Sequence, residues 1–188
     1  MGRVHSVDVL AAAREGDEES FRQLWRHYQP RLLRYLRVLS ARDADDLASE
    51  TWLQVVRELS GFRGDEASFA AWLFTIARHR CVDLRRRQAR RPTVIADLSD
   101  DWVLRSSDHP AAEDVALGAL STDAALALLA GLPADQREAV ALTVLGGLRA
   151  SEAATILGAS PGAVRVRVHR GLRRLEAQLS SQPQGIPA

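Results

Sequence analysis

The stretch GASPGAVRVRVHRGLRRL, residues 158–175, decides how the C-terminal part of the chain folds. Ser160 followed by Pro161 favours a helix start, because Ser is a good N-cap and Pro suits the first helical position. Five arginines and one histidine lie within ten residues, Arg165 to Arg174. Apolar residues recur there at spacings of three and four, which predicts a helix with one buried face and a basic remainder. The residues of that predicted buried face are Val164, Val168, Leu172, Leu175 and Leu179.

The segment before this helix, ASEAATILG (150–158), predicts a short helix joined to it by the turn Gly158-Ala159-Ser160. A short helix, a tight turn containing glycine and a longer basic helix form the helix-turn-helix pattern, whose second helix enters the DNA major groove. We therefore favour duplex DNA binding over the alternative of a solvated amphipathic helix. The predicted contact residues are Ser160, Gly162, Ala163, Arg165, Arg167, His169, Arg170 and Arg173.

The composition narrows the class of protein. The chain has 188 residues, of which 46% are hydrophobic, so it can bury a substantial core. It has no apolar run long enough to span a membrane, and its first residues lack the apolar core of a signal peptide, so we expect a cytoplasmic protein. Cys81 is the single cysteine and is expected to be a small buried residue. We predict no metal site and no cofactor.

Charge divides the chain into blocks. Residues 1–91 carry 17 arginines against 13 acidic residues, residues 92–130 one arginine against seven, and residues 131–188 seven arginines against four. Two basic ends around an acidic middle suggest two modules and a linker. We place the first domain at 1–91, an acidic flexible linker at 92–120, the second domain at 121–179 and a disordered tail at 180–188.

Helical spacing dominates the first module, and no segment has the alternation of a strand. The predicted fold class is therefore all-α, with two small helical domains. Asp17 is placed to cap the second helix, and Pro30 is expected to interrupt or kink it. Phe21, Leu24, Trp25 and Tyr28 are predicted to share its apolar face, and Leu47, Trp52, Val55, Val56 and Leu59 that of the third helix.

Two stretches of the first module stand out. DADDLASETW (43–52) places several carboxylates near one side of a helix, and we interpret them as an exposed docking face rather than a metal site. FRGDEASFAAWLFTIARHRCVDLRRR (62–87) combines aromatic residues with a basic second half, which suits unpaired DNA because rings stack on bases and arginines follow phosphates. The helical spacing of Trp72, Leu73, Ile76 and Leu84 also marks these four as core.

These stretches together resemble bacterial RNA polymerase sigma factors of the extracytoplasmic-function (ECF) group. DADDLASETWLQVV, FAAWLFTIARHRCVDLRRR, LPADQREAVALTVLGGL and SEAATILGASPGAVRVRVHRGLRRL look, in order and spacing, like sigma regions 2.2, 2.3–2.4 and 4. The resemblance covers most of the chain apart from the linker and the tails. Arg149 stands where the family often has Ser or Thr, which predicts a weak helix cap, and His79 stands where Asn is common.

The resemblance implies a role for each part. The first domain would be sigma region 2-like and the second sigma region 4-like, and the chain would be a non-catalytic initiation factor. Its partners would be core RNA polymerase, through the beta-prime clamp helices and the beta flap, and promoter DNA in single-stranded and duplex form. An anti-sigma factor is a further possible partner. The core-binding residues would be Asp43, Asp45, Asp46 and Glu50, the −10 contacts would be Phe62, Arg63, His79, Arg80, Asp83, Arg86 and Arg87, and the helix from Pro161 would read the −35 element.

The alternative function is a helix-turn-helix transcriptional regulator with a helical sensing domain. That interpretation accounts for residues 150–175 but leaves the acidic stretch 43–52 and the aromatic, arginine-rich helix after it without a role. An enzyme is disfavoured because the five histidines are scattered and no set of nucleophile and base is visible.

Overall fold

The computed structural model describes residues 6–90 and 122–181, and every regular element in these two ranges is helical. The prediction of an all-α fold with two helical domains is therefore confirmed. The predicted linker, 92–120, lies outside the described residues, as does 182–188 of the predicted tail. The helices are α1 Ser6–Arg14, α2 Glu18–Leu39, α3 Ala44–Glu58, α4 Glu66–Arg90, α5 Thr122–Ala130, α6 Ala134–Val140, α7 Ala150–Leu157 and α8 Pro161–Ser181.

Helix α2 begins after the predicted cap, Asp17, and continues through Pro30, where the sequence suggests an interruption or a kink. The Asp17 side chain accepts a hydrogen bond from the Ser20 N–H at 2.7 Å, which satisfies one of the free donors at the helix start. Pro30 lies inside α2 and does not interrupt it. Proline removes one hydrogen bond from a helix, and here Leu32 and Tyr35 in the following turn are completely buried. Their packing keeps the helix intact beyond Pro30.

The first module, α1 to α4, is built around aromatic residues. Tyr28 and Phe69 are buried with ring centroids 5.3 Å apart, and Trp52 packs edge-on against Phe21. The indole N–H of Trp52 donates to the Gln29 side-chain oxygen at 2.7 Å, so the buried ring keeps its polar partner. The predicted apolar faces of α2 and α3 are therefore largely correct, with exceptions described below.

The second module, α5 to α8, contains the predicted helix-turn-helix. Helix α7 ends at Leu157, Gly158 adopts a left-handed conformation with φ of 60°, and α8 begins at Pro161. A non-glycine residue is strained in that conformation, which explains the glycine in the turn. The end of α6 continues as a π-helical turn over Ala141–Leu145.

The predicted buried stripe of α8 is only half correct. Val164 is completely buried and Val168 is partly buried, but Leu172 is 39% exposed and Leu179 is 42% exposed. The side of α8 that packs on the rest of the second module carries Val168, Gly171 and Leu175, and Leu172 and Leu179 lie at its edge. Helix α8 also includes Ser180 and Ser181, which the sequence analysis assigned to a disordered tail.

The two modules pack against each other. Buried residues of α2 and α4, such as Tyr35 and Phe74, belong to the same apolar cluster as Leu142, Leu148 and Val164 of the second module. Helices α4 and α7 are in contact, and α2 contacts both α5 and α6. Nothing in the sequence predicts this packing, because an apolar face does not identify its partner.

Within residues 6–90 and 122–181, no helix has the combination of length and apolar character needed to cross a bilayer.

Gly171 provides a test of the packing between α6 and α8. A Cβ atom at Gly171 would lie 2.8 Å from Cγ2 of Val140, a buried side chain that cannot move aside easily. Alanine normally stabilises a helix relative to glycine by about 1 kcal/mol, whereas overpacking costs about 1–3 kcal/mol. We expect Gly171→Ala to lower the free energy of unfolding by about 1 kcal/mol in thermal or urea denaturation.

The matched control is Gly162→Ala in the same helix, where an added Cβ meets only the Ser160 hydroxyl, at 3.9 Å. This control should be at least as stable as the unchanged chain. Equal stability of the two variants would show that α6 and α8 do not approach as closely as described.

Candidate nucleic-acid interface

The first turns of α8 present charged side chains to solvent. Arg165 and Arg170 are exposed, and among the described residues neither forms an ion pair. A guanidinium without a partner is free to donate two parallel hydrogen bonds to a base edge or a phosphate. The N-terminal half of α8 therefore has the chemistry that duplex DNA binding requires.

The start of α8 is well fixed. The Ser160 hydroxyl accepts a hydrogen bond from the Ala163 N–H at 3.2 Å, so the predicted N-cap is confirmed. Gly162 and Ser160 are both exposed, and the space in front of Gly162 is open apart from Ser160 itself. Nothing within the described chain requires a glycine at 162, which leaves room for the close approach of another molecule.

The start of α7 is ordered by Glu152 and not by the side chain of the N-cap residue, Arg149. Glu152 accepts from the Arg149 backbone N–H and from its Nε, both at 2.7 Å. Arginine has no acceptor, so it cannot bind the free N–H groups of the helix as Ser or Thr would. Glu152 instead reaches back to Arg149, which orders the start of the helix-turn-helix. The Arg149 side chain makes no cap hydrogen bond, as expected, and it is Glu152 that orders this helix start.

Other predicted residues of α8 have partners within the second module. Arg167 is half-buried, and its Nε lies 3.5 Å from a carboxylate oxygen of Asp135 on α6. Arg173 is exposed and lies 4.0 Å from Glu176, one turn further along α8. His169 is exposed, and Ala163 is partly buried. The ion pair of Arg167 joins α8 to α6, and Arg165, Arg170 and Arg174 are the exposed arginines of α8 that form no ion pair with a described residue.

A second basic surface lies along α4. His79, Asp83, Arg86 and Arg87 are exposed, and Arg86 lies 3.8 Å from Asp83. Exposed ion pairs of this kind contribute little to stability, so these side chains can change partner readily. The opposite side of α4 is buried as far as Cys81, and beyond Leu84 the helix is exposed on all sides.

Phe62 lies at the edge of an aromatic cluster at the start of α4. Its ring stacks on Trp72 with centroids 4.9 Å apart and meets Phe69 edge-on at 5.8 Å. Phe62 is only partly buried, so one part of the ring is accessible. Arg63 is exposed and donates to the carbonyls of Ser60 and Phe62, which folds it onto the loop before α4.

The acidic residues divide into two groups. Asp45, Asp46 and Glu50 are exposed on α3, whereas Asp43 is partly buried and accepts a hydrogen bond from the Ser40 hydroxyl at 2.7 Å. Asp43 therefore orders the turn before α3. The structure places Arg80 of α4 against α3, where it donates to Gln54 at 2.8 Å and lies 3.6 Å from Glu50.

The sequence analysis missed an exposed apolar surface beside these acids. Trp25 is 42% exposed, Leu53 is 55% exposed and Val56 is 57% exposed. Trp25 and Val56 also line a groove of about 590 Å³ between α1, α2 and α3. The signal was present in α3, since its apolar residues are too numerous for one buried face, and Leu53 and Val56 follow Asp46 and Ser49 at spacings of seven.

Comparisons with known proteins agree with this arrangement. The Sigma-70 region 2 family model matches residues 24–91, and the Sigma-70 region 4 model matches residues 122–175. The ECF RNA polymerase sigma factor ShbA of Streptomyces griseus is 42% identical over 178 residues, which cover 90% of this chain and 92% of that protein. The ECF RNA polymerase sigma factor SigD of Mycobacterium tuberculosis is 35% identical over 178 residues, covering 91% of this chain and 82% of that protein.

A solved structure has the same organisation. The sigma factor RpoE of Bartonella quintana, in complex with the anti-sigma factor NepR, superimposes with a TM-score of 0.67 at 30% identity, covering 87% of this chain and 99% of the other. A regulator with a separate sensing domain does not account for the match of residues 24–91 to region 2. The chain therefore belongs to the ECF group of RNA polymerase sigma factors, the subunits that direct the polymerase to promoters.

Proposed function

We propose that the first module binds core RNA polymerase and the unpaired −10 element, and that the second module binds the −35 element as duplex DNA. The observation that carries the proposal is the presence of two exposed arginines without ion-pair partners among the described residues, Arg165 and Arg170, in the N-terminal half of the second helix of a helix-turn-helix. Transcription run-off from a promoter template, with core polymerase in the presence and absence of this protein, tests the proposal as a whole.

The −35 contacts fall into two classes. Arg165 lies in the first two turns of α8, the part of a recognition helix that meets base edges, and we assign it to base contact. Arg170 and Arg173 lie further along, and we assign them to phosphates. Ser160, Gly162 and Ala163 form the part of the surface that lies closest to the DNA. Arg167 and His169 complete the set, with Arg167 held by Asp135.

The −10 contacts combine rings and cations. Phe62 and Trp72 present an aromatic edge beside the loop that carries Arg63, and a flipped base could stack there. His79, Asp83, Arg86 and Arg87 would follow the strand along α4. Arg80 has a different role in this proposal, because its contacts with Glu50 and Gln54 join α3 to α4 beneath the DNA-facing side.

We infer that the polymerase-binding face includes apolar residues as well as acids. Asp46, Glu50 and Leu53 lie along one side of α3, and Val56 and Trp25 continue it. Apolar residues surrounded by charge are typical of protein interfaces, where burial supplies affinity and charge fixes the register. Asp45 lies at the edge of this face, and Asp43 supports it through the turn at Ser40.

The proposed activity requires no covalent chemistry. Separating the strands of a promoter costs free energy, and a protein that binds the unpaired form in preference to the duplex shifts that equilibrium. The protein would therefore act as a non-enzymatic subunit, in the cytoplasm with the polymerase. Because RpoE of Bartonella quintana is solved with an anti-sigma factor, we include such a factor among the partners to be tested.

Arg165→Ala should weaken binding of holoenzyme to a −35 duplex by about 1–3 kcal/mol and relax its preference at one base position. Arg170→Ala should weaken binding for all sequences alike and reduce the slope of log affinity against log salt concentration by about 1. Promoter binding by core polymerase reconstituted with each variant measures both effects.

Arg26→Ala on α2 is the control, since it removes the same charge from an exposed site of the first module that is assigned to neither DNA nor polymerase. Core binding should be unchanged in the α8 variants. Loss of core binding by Arg165→Ala with unchanged promoter affinity would contradict the roles assigned to the two modules.

Replacing Asp46 and Glu50 by arginine should weaken core binding at least tenfold and leave the affinity for −35 DNA unchanged, because both charges lie on the proposed docking face. Asp46→Arg alone is the cleaner variant, since Glu50 also neighbours Arg80. Titration of labelled protein with core polymerase gives the affinity, and a melting curve checks the fold.

Glu58→Arg is the matched control, because Glu58 is exposed at the C-terminal end of α3 and lies about 120° around the helix from Asp46. If Glu58→Arg weakens core binding as much as Asp46→Arg does, the effect is one of net charge, and the docking face is wrongly assigned.

A further inference from the structure

Val166 lies on the outward side of α8 and is 49% exposed. It stands two residues after Val164, which is completely buried, and two before Val168, which is partly buried. At about 3.6 residues per turn, Val166 therefore points about 160° away from both. The other exposed apolar side chains of this helix, Leu172 and Leu179, lie at the edge of its buried side. Along α8, Val166 is thus the one apolar side chain larger than alanine on the outward side.

The fold gives no reason for a valine at this position. Val166 belongs to neither of the apolar clusters that the described residues form. Valine is β-branched and has a lower helix propensity than alanine, so it does not stabilise an exposed helical position. Its apolar side chain is therefore available to another molecule.

The neighbours of Val166 leave it accessible on the side of the helix start. Gly162 lies one turn before it and Arg170 one turn after it, and both are exposed on the same face. Helical side chains lean toward the N-terminus, so Val166 leans toward the turn where Gly162 has no side chain. A Cβ atom at Gly162 would meet only the Ser160 hydroxyl, at 3.9 Å, so this space is open. The exposed guanidinium groups of Arg165 and Arg170 stand next to it along the helix.

The chemistry of the major groove identifies what an apolar side chain can recognise there. Adenine, guanine and cytosine present hydrogen-bonding groups in that groove, whereas thymine also presents its 5-methyl group. Val166 has no polar side-chain atom, so a base amino group placed against it would lose its hydrogen bonds to water without replacement. The first two turns of a recognition helix are the part that meets base edges, and Val166 lies in the second of these turns.

We propose that Val166 is a specificity-determining residue, which selects a thymine in the −35 duplex through contact with the 5-methyl group of that base. This inference deepens the proposed binding of the −35 element by the second module and rests on it. Arg165 and Arg170 supply hydrogen bonds and charge to the same duplex. Val166 adds a preference at one base position, on either strand, that no guanidinium group supplies.

Replacement of thymine by deoxyuridine isolates this contact, because the pairing is kept and only the 5-methyl group is removed. The probe is the promoter duplex that holoenzyme containing the full-length chain enriches from a library randomised over both elements. Each thymine of its −35 element, on both strands, is then replaced in turn. We expect one replacement to weaken holoenzyme binding about fourfold, which is the factor that burial of one methyl-sized group contributes.

Variants at position 166 show whether valine makes the contact. Val166→Ala should bind the thymine duplex about fourfold more weakly and should no longer distinguish it from the deoxyuridine duplex, since the two changes remove the same contact. Val166→Ile keeps an apolar side chain and should retain the preference. The matched control is Val144→Ala, because Val144 is 54% exposed in the same module but lies outside the helix-turn-helix. Melting curves of all variants should match that of the unchanged chain.

Several results would overturn the proposal. One is an enriched −35 element without thymine on either strand, or one in which no replacement by deoxyuridine weakens binding. Another is a preference for thymine that persists in Val166→Ala, because a different residue then contacts the methyl group. Weaker binding of Val166→Ala to core polymerase, with its preference for thymine unchanged, would place Val166 in a protein interface instead.

Failure of this inference is distinguishable from failure of the proposed function. If holoenzyme enriches no −35 sequence, and Arg165→Ala does not change its affinity for any duplex, the second module does not read that element and both proposals are wrong. If a −35 sequence is enriched and Arg165→Ala weakens its binding, but deoxyuridine has no effect, only the thymine contact of Val166 is wrong.

Discussion

The rest of the structure depends on the packing of α4, because three sides of this helix lie in three different environments. One side, with Phe69 and Leu73, completes the core of the first module. A second side, with Phe74 and Arg78, meets the second module. The third side, with His79, remains exposed. A helix has about 3.6 residues per turn, so a substitution at almost any position of α4 affects at least one of these surfaces. A substitution in α4 that changes the core of the first module can therefore also change the contact between the modules or the candidate DNA surface.

This arrangement also explains where the charges lie. Arg78 and Glu138 form a partly buried ion pair between the modules, whereas the cations at the start of α8 face solvent. A buried ion pair contributes little net stability compared with apolar packing, but it is costly to break on one side only. Such a pair suits an interface that must form in one register. Exposed arginines without ion-pair partners contribute little to the stability of the fold, but their guanidinium groups are free to bind another molecule.

Much of the fold follows from local rules, and the sequence predicts that part well. Caps at Asp17 and Ser160 and the glycine turn at 158 are local features, and all three are observed. The exposure of Leu172 and Val56 could not be predicted, because periodicity shows which residues share a face and does not show whether another element covers it. The contact between the modules is missing from the prediction for the same reason. The roles of individual residues at the DNA and polymerase surfaces depend on partners that a single chain does not contain, so they remain predictions.

The proposed function is compatible with the length of the covalent chain. Residues 91–121 connect α4 to α5, and an extended chain of about 30 residues can span at most roughly 100 Å. In the proposed function the two modules bind elements centred about 25 base pairs apart, which is roughly 85 Å of duplex at about 3.4 Å per base pair. The connection is therefore long enough for each module to reach its own element. Because the two modules are tethered, binding of one would hold the other at a high effective concentration near its element. We therefore expect weak binding to either element alone and stronger binding when the polymerase holds both modules at a promoter.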